Sequence, residues 1–316
     1  MKKKSVVYEE KKQCIFSKLF YPYWKYRYLF LLFLPALLYY VVFCYGPMYG
    51  IQIAFKDYSL TKGISQSPWV GMKYFERLFN MKGFWSVFWN TITISGLKLI
   101  FGFPIPIIFA LLLNELRHKH FKKVVQTISY LPHFLSWIIL VSLFTQLLSP
   151  SIGPVNQILK AMGLNEIYFM ADTKWFRPVV VFTSVWKELG WGTVVYLAAI
   201  TGCNPELYEA AAIDGARRFQ KVLYITLPEL AAVITIMFIF AVGGIVNDDF
   251  DQIYNMLNNA VLNKGDVIST YVYRIGLENM QYSFSTAVGL FKNVIAFVLV
   301  MATNSISKRI SDYGIW

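Results

Sequence analysis

The chain has 316 residues, of which 56% are hydrophobic, 18% aromatic and 15% charged. Charge this sparse cannot clothe the water-facing surface of a globular domain, where about 25% of residues are charged, and the mean hydropathy of +0.47 points to the same exclusion. A net charge of +12 would suggest nucleic acid as a partner for a soluble chain, but in a membrane protein Lys and Arg record topology.

The chain opens on Lys2, Lys3 and Lys4. Its first apolar run is too long, starts too late and lacks the small-residue cleavage site of a secretory signal, so the sequence predicts an uncleaved first span. Residues 1–27 read as a basic cytoplasmic or interfacial tail. Its end interleaves Tyr23, Trp24 and Tyr26 with Lys25 and Arg27, the composition of a headgroup-level anchor.

Walking from charge to charge predicts six spans, each near or above the ~20 apolar residues that cross a bilayer. They cover residues 28–55, 89–113, 124–148, 178–200, 228–246 and 286–304. Prolines 35, 47, 104 and 106 are tolerated inside spans where neighbours re-satisfy the freed carbonyls. An even number of spans puts both termini on one side. That side carries 17 Lys and Arg against 10 on the other, with Lys98, Lys187 and Lys292 inside spans. The positive-inside rule therefore makes it cytoplasmic, and the chain reads as an all-α integral membrane protein with a transmembrane domain over 28–307 and a short cytoplasmic tail over 308–316.

Between spans four and five the order Asn204, Pro205, Glu206 is a helix start, with an N-cap, a proline at the first helical position and an acid at the positive end. Gly215 can end that helix. Beyond it, Phe219, Val222, Leu223 and Leu227 recur at helical spacing while Arg217, Arg218, Gln220 and Lys221 fall on other faces, which predicts a second, amphipathic helix before Pro228. Three consecutive alanines, Ala210, Ala211 and Ala212, present little side chain, so this knuckle suits either a protein socket or a position on lipid headgroups.

These residues carry a resemblance. Glu209-Ala210-Ala211, three residues, Gly215, nine residues, Ile225, one residue, Leu227-Pro228 resembles the EAA motif of permease subunits from ATP-binding-cassette importers. Asp214 before the glycine resembles the carbohydrate-uptake branch. Segments starting at Asn90 (NTITISGLKLIFGFPIPIIFALLLNEL), Ser129 (SYLPHFLSW) and Val267 (VISTYVYRIGL) are similar to LplB-type polysaccharide permeases. The resemblance implies a type I importer permease (MetI-like) fold in a bacterial cell membrane, with residues 204–228 as the coupling loop. It implies four kinds of partner: a second homologous permease, two copies of a cytoplasmic ABC ATPase, an extracellular solute-binding lipoprotein and an oligosaccharide substrate. It assigns ATPase coupling to Glu209, Ala210, Ala211, Asp214, Gly215 and Pro228. ATP and Mg would be bound by the partner ATPase, because this chain has no GxxxxGK[ST] loop and needs no cofactor of its own.

Lys187 and Glu188 are costly at membrane depth and usually face protein or a watery cavity. As neighbours on a helix they point about 100° apart, so they do not simply neutralise each other. Together with Asn90, Trp186, Trp191 and Asn293 they are candidates for the substrate pathway, as aromatic faces and polar groups suited to sugars; packing and pairing between helices are the alternative. Lys98 and Lys292 are expected to snorkel to the interface. His133 lacks the spaced partners of a metal ligand, three scattered cysteines make no metal box or disulfide framework, and no catalytic motif is present. The chain is thus expected to be a non-enzymatic permease subunit for an oligosaccharide or polysaccharide fragment. An ion-coupled secondary transporter using Lys187 and Glu188 and a membrane-embedded glycosyltransferase are the alternatives.

Overall fold

The computed structural model describes residues 25–246 and 248–311. The basic tail lies outside these residues except for its last three, as do residues 312–316 of the C-terminal tail. The described chain is helical, with one isolated antiparallel bridge between Lys56 and Trp69, and it divides between Gln52 and Ile53 into two compact units.

The first unit carries α1 (Arg27–Tyr39), continued by a wide turn at Tyr40–Tyr45 and a short helix at Gly46–Met48. With the tighter helix that follows, the run Arg27–Phe55 is long and apolar enough to cross a membrane. None of α1 is buried within the protein, which suits a helix whose solvent is lipid. The wide turn stands just ahead of Pro47, which has no N–H to offer the carbonyl of Phe43 and whose ring crowds it; the extra residue in the turn relieves both problems.

In the second unit, α2 (Lys73–Asn80) is a short amphipathic helix that buries Tyr74, Phe75 and Leu78. Next come α3 (Lys82–Gly102) and α4 (Pro104–Asn114), together one crossing of 33 residues. The expected third span, 124–148, is not one helix. It consists of α5 (Lys119–Tyr130), a tight turn at Leu131–Phe134 and α6 (Trp137–Leu147), bent by 104°. Pro132 ends the hydrogen-bond ladder, Leu135 is extended, and the Ser136 hydroxyl accepts from the Ile139 N–H to start the new helix. After α7 (Pro154–Ala161), whose Asn156 side chain donates to the carbonyls of Leu148, Ser149 and Ile167, the chain enters α8 (Phe176–Thr201).

Helix α8 has 26 residues, about 39 Å at 1.5 Å each, and packs along α3 and α4. The knuckle follows as α9 (Pro205–Ile213) and α10 (Arg218–Lys221), and then α11 (Ala231–Gly243). Residues Arg218–Glu229 and Ala231–Val246 meet at 65°. Two short helices, α12 (Phe250–Met256) and α13 (Ile268–Tyr273), precede the final α14 (Tyr282–Ser311), which packs along α11. Among the described residues three helices are long and apolar enough to cross a membrane, or five when each bent pair is counted as one span. The remaining expected span is α8, whose charges lower its hydropathy.

Three apolar clusters hold this unit together. Phe84 and Val87 meet Tyr271, Phe284 and Val288; Ile94, Phe176 and Val180 meet Ile253 and Met256; Ile107, Ala110 and Leu113 meet Tyr196, Ile200 and Leu230. Helix α8 contributes to the last two and packs against α3 and α4. Among the described residues only Gln281 Oε1 is a buried side-chain atom without a partner, as hydrocarbon surroundings demand.

Candidate functional site

A cavity of about 430 Å³ lies between α3, α4, α8 and α11. Leu99, Phe103, Pro106, Val185, Met237 and Phe240 make most of its wall apolar, and its charged groups are Lys98, Glu188, Asp248 and Asp249. Glu188 and Asp249 keep 47% and 48% of their side-chain surface open. Each has one oxygen tied down: His133 Nδ1 lies 2.9 Å from Glu188 Oε2, and Lys98 Nζ donates to Asp249 Oδ2 at 2.8 Å. The second oxygen of each carboxylate remains available as an acceptor.

Lys187 and Glu188 both engage the break between α5 and α6. Lys187 Nζ donates to the carbonyls of His133 at 2.6 Å, Leu135 at 2.8 Å and Pro132 at 3.3 Å, which spends all three of its protons. The His133 ring lies flat on Trp191, with centroids 4.7 Å apart and planes 4° apart. Gly190 lets α8 come this close, because a Cβ there would sit 2.1 Å from the Ser129 carbonyl oxygen. The four residues Lys187, Glu188, Gly190 and Trp191 thus grip one turn, and the two neighbouring charges serve different partners, as their 100° separation requires.

Lys98 and Lys292 turn inward and do not snorkel. Lys98 also donates to Gln252 Oε1 at 2.5 Å, while Lys292 Nζ donates to Asp248 Oδ1 at 2.8 Å and to Ser269 Oγ at 2.7 Å. Ser269 gives its hydroxyl and its N–H to the same Asp248 carboxylate. A carboxylate as buried as Asp248, at 1% side-chain exposure, is tolerable only with such partners. Consecutive carboxylates therefore hold different helices, Asp249 holding α3 and Asp248 holding α14. Sequence reading missed this because the partners lie 151 and 44 residues away; the available signal was the acidic cluster directly after span five.

The other pathway candidates lie elsewhere. Asn90 is buried and stitches three segments, donating to the carbonyls of Asn263 and Asp266 and accepting from Arg177 Nη2 at 2.7 Å. Trp186 meets the Phe144 ring edge-on. Asn293 is exposed on α14. Of the six, Glu188 alone is on the cavity wall.

At the knuckle, Asn204 Oδ1 accepts from the Glu206 N–H at 3.0 Å, and Pro205 begins α9. The helix ends in the crossed pair of bonds of a Schellman motif: Ala216 N–H donates to the Ala211 carbonyl at 2.8 Å and Gly215 N–H to the Ala212 carbonyl at 3.2 Å. Gly215 has a φ of +76°, a left-handed conformation open to glycine at little cost. Gln220 accepts from the Arg217 N–H at 2.7 Å to start α10. Tyr208 ties the two arms, with its hydroxyl 2.9 Å from Thr226 Oγ1 and its carbonyl accepting from Lys221 Nζ; burial pushes its phenol above the usual range. The expected second helix runs from Arg218 to Glu229 and widens by a turn at Val222–Thr226, because Pro228 cannot donate to Tyr224. Of its apolar residues, Phe219 is 75% and Leu223 42% exposed. Glu209, Ala210, Asp214, Gly215 and Pro228 are exposed, and Ile213 is 87% exposed. A cleft of about 280 Å³ lies between the arms, lined by Ala211, Asp214, Gly215, Lys221 and Tyr224.

Residues 102–312 match the family described as binding-protein-dependent transport system inner membrane component. Protein LplB of Bacillus subtilis (strain 168) is 42% identical over 290 residues, which are 92% of this chain and 91% of that one. The polygalacturonan/rhamnogalacturonan transport system permease protein YteP of the same organism is 43% identical over 290 residues, 92% of this chain and 90% of the relative. A chain in the crystal structure of a bacterial alginate ABC transporter, in complex with alginate pentasaccharide-bound periplasmic protein, superposes with a TM-score of 0.87 at 40% identity, covering 94% of this chain and 100% of that one. With its helical crossings, its buried charges fully partnered and its exposed Glu-Ala-Ala knuckle, the chain belongs to the family of inner-membrane components of binding-protein-dependent transport systems, the permease components of ABC transporters.

Proposed function

We propose that this chain forms one half of the passage of an ATP-driven importer for polysaccharide fragments, delivered by an extracellular solute-binding protein and driven by an ATPase that docks on the knuckle. The observation that carries this reading is one of connectivity. Of the four helices that wall the cavity, α8 and α11 are the two that the knuckle joins. A push on Glu209, Ala210 and Gly215 therefore reaches both walls through short, hydrogen-bonded segments, and the small side chains of Ala210 and Ala211 leave room for a partner's surface. ATP and Mg are bound by that partner. A second, homologous permease completes the passage, and both termini face the ATPase side.

The cavity suits a glycan chemically. Its apolar wall can face the C–H surface of a sugar ring, while Glu188 and Asp249 offer acceptors to hydroxyls. Lys187, on which an ion-coupled transporter would depend, is spent on three carbonyls.

The test is reconstitution of the complete importer in proteoliposomes with polygalacturonan and rhamnogalacturonan oligosaccharides as probes. Uptake is expected to require the ATPase, ATP and the loaded binding protein together. Uptake by the permease pair alone along an ion gradient would overturn the proposal.

A further inference from the structure

The contacts at the break between α5 and α6 go beyond what a helix end requires. A helix interrupted at Pro132 leaves carbonyls with no N–H to receive, and at membrane depth no water replaces it. Lys187 supplies three donors to the carbonyls of Pro132, His133 and Leu135. One residue further on, Glu188 accepts from the ring of His133, the residue whose carbonyl makes the shortest of those bonds. Trp191 stacks flat on the His133 ring and fixes its plane, and the missing side chain of Gly190 brings the whole assembly to within contact of Ser129. A structural brace alone would be complete with Lys187. The His133 contact does something else: it orients a carboxylate that stands on the cavity wall.

We propose that His133 and Lys187 are positioning residues for Glu188. Lys187 fixes the turn, the turn fixes His133, and His133 holds one oxygen of the Glu188 carboxylate so that the other is presented to a glycan hydroxyl inside the cavity. This rests on the reading of the chain as a glycan permease. Glu188 is the group that meets the sugar, and His133 and Lys187 act only through it.

The experiment uses the complete importer trapped with vanadate, reading radiolabelled rhamnogalacturonan oligosaccharide retained per trapped nucleotide. His133→Leu removes the ring donor and is expected to lower that ratio about tenfold. His133→Gln, which keeps an N–H donor of similar reach, is expected to restore it to within about twofold of the parent. Combining His133→Leu with Glu188→Gln is expected to add nothing to Glu188→Gln alone, because both act on the same oxygen. Lys187→Met strands the carbonyls of His133 and Leu135 and is expected to reduce recovery of assembled importer, whereas Lys187→Arg keeps donors and is expected to retain sugar. An unchanged ratio in His133→Leu, equal loss in His133→Gln, or multiplicative losses in the double variant would each overturn the proposal. Failure of the parent importer to retain any of the oligosaccharide, despite normal nucleotide trapping, would instead refute the functional reading on which it rests.

Discussion

Gly190→Ala is the most direct test of how tightly α8 is set against the broken helix. The added Cβ would stand 2.1 Å from the Ser129 carbonyl oxygen and 2.4 Å from its carbon, where ordinary contact begins near 3.4 Å. Both obstructing atoms are backbone, so no rotamer change relieves them, and the two helices must part by about 1.3 Å. The bonds from Lys187 to the carbonyls of His133 and Leu135, now 2.6 and 2.8 Å, would then exceed hydrogen-bonding distance. Overfilling costs about 1–3 kcal/mol, and a buried group left unpaired costs about 1–3 more. A total of about 4 kcal/mol, at roughly 2 °C per kcal/mol for a chain of this size, lowers the melting temperature by about 8 °C. The assay is loss of monodisperse elution after heating the detergent-purified importer. Gly289→Ala in α14 is the control, because a Cβ there meets nothing within 4 Å; it is expected to be neutral, or stabilising by about 0.5–1 kcal/mol through helix propensity. A Gly190→Ala protein that melts with the parent, or that falls no further than Gly289→Ala, refutes the reasoning.

Three further outcomes follow from the geometry. Removing Lys292 strands an Asp248 carboxylate that is 1% exposed, whereas removing Lys98 leaves an Asp249 that is 48% open to hydration; Lys292→Met should therefore cost about 3–5 kcal/mol and Lys98→Met distinctly less, and thermal denaturation in the reverse order would contradict this. Gly215→Val forces a β-branched residue into the left-handed region, costing about 1–2 kcal/mol, and is expected to leave membrane insertion intact while reducing the ATPase recovered by co-purification several-fold; normal recovery and normal uptake would dissociate the knuckle from coupling. The Tyr74 hydroxyl, with Lys73 beside it, holds Asp57 below the ordinary carboxylate value. A depressed folded pKa stabilises above the unfolded value near 4 and loses that contribution as pH falls through the folded value, so the melting difference between the parent and Tyr74→Phe, less than about 1 kcal/mol for so exposed a carboxylate, should close on acidification below pH ~4. A gap that widens instead would place the stabilisation elsewhere.

Local signals in the sequence were faithful where the structure is itself local. The start of α9 at Asn204 and Pro205 and its end at Gly215 depend on residues within a few positions of the feature, whereas α3 and α14 extend beyond the expected 89–113 and 286–304 at their N-terminal ends. The break at Leu131–Phe134 was visible as Pro132 followed by Ser136, but a hydropathy reading runs straight through it because both flanks are equally apolar. The helix after Arg217 was legible from its spacing, but the wide turn within it, set by Pro228, was not. Lys98, Lys292 and Asn90 could not be placed from spacing, because each finds its partner through tertiary packing across many tens of residues. For Lys187 and Glu188 the sequence supplied the divergence of the two side chains but not the turn that receives them.

The adjacent carboxylates Asp248 and Asp249 have a consequence for how this protein can vary. Two neighbouring positions answer to two different helices, so the linker that carries them works as a ruler. Exchanging an apolar neighbour changes its texture, whereas inserting or deleting a single residue shifts the phase and detaches at least one lysine. Natural variants are accordingly expected to differ here in composition and to agree in length.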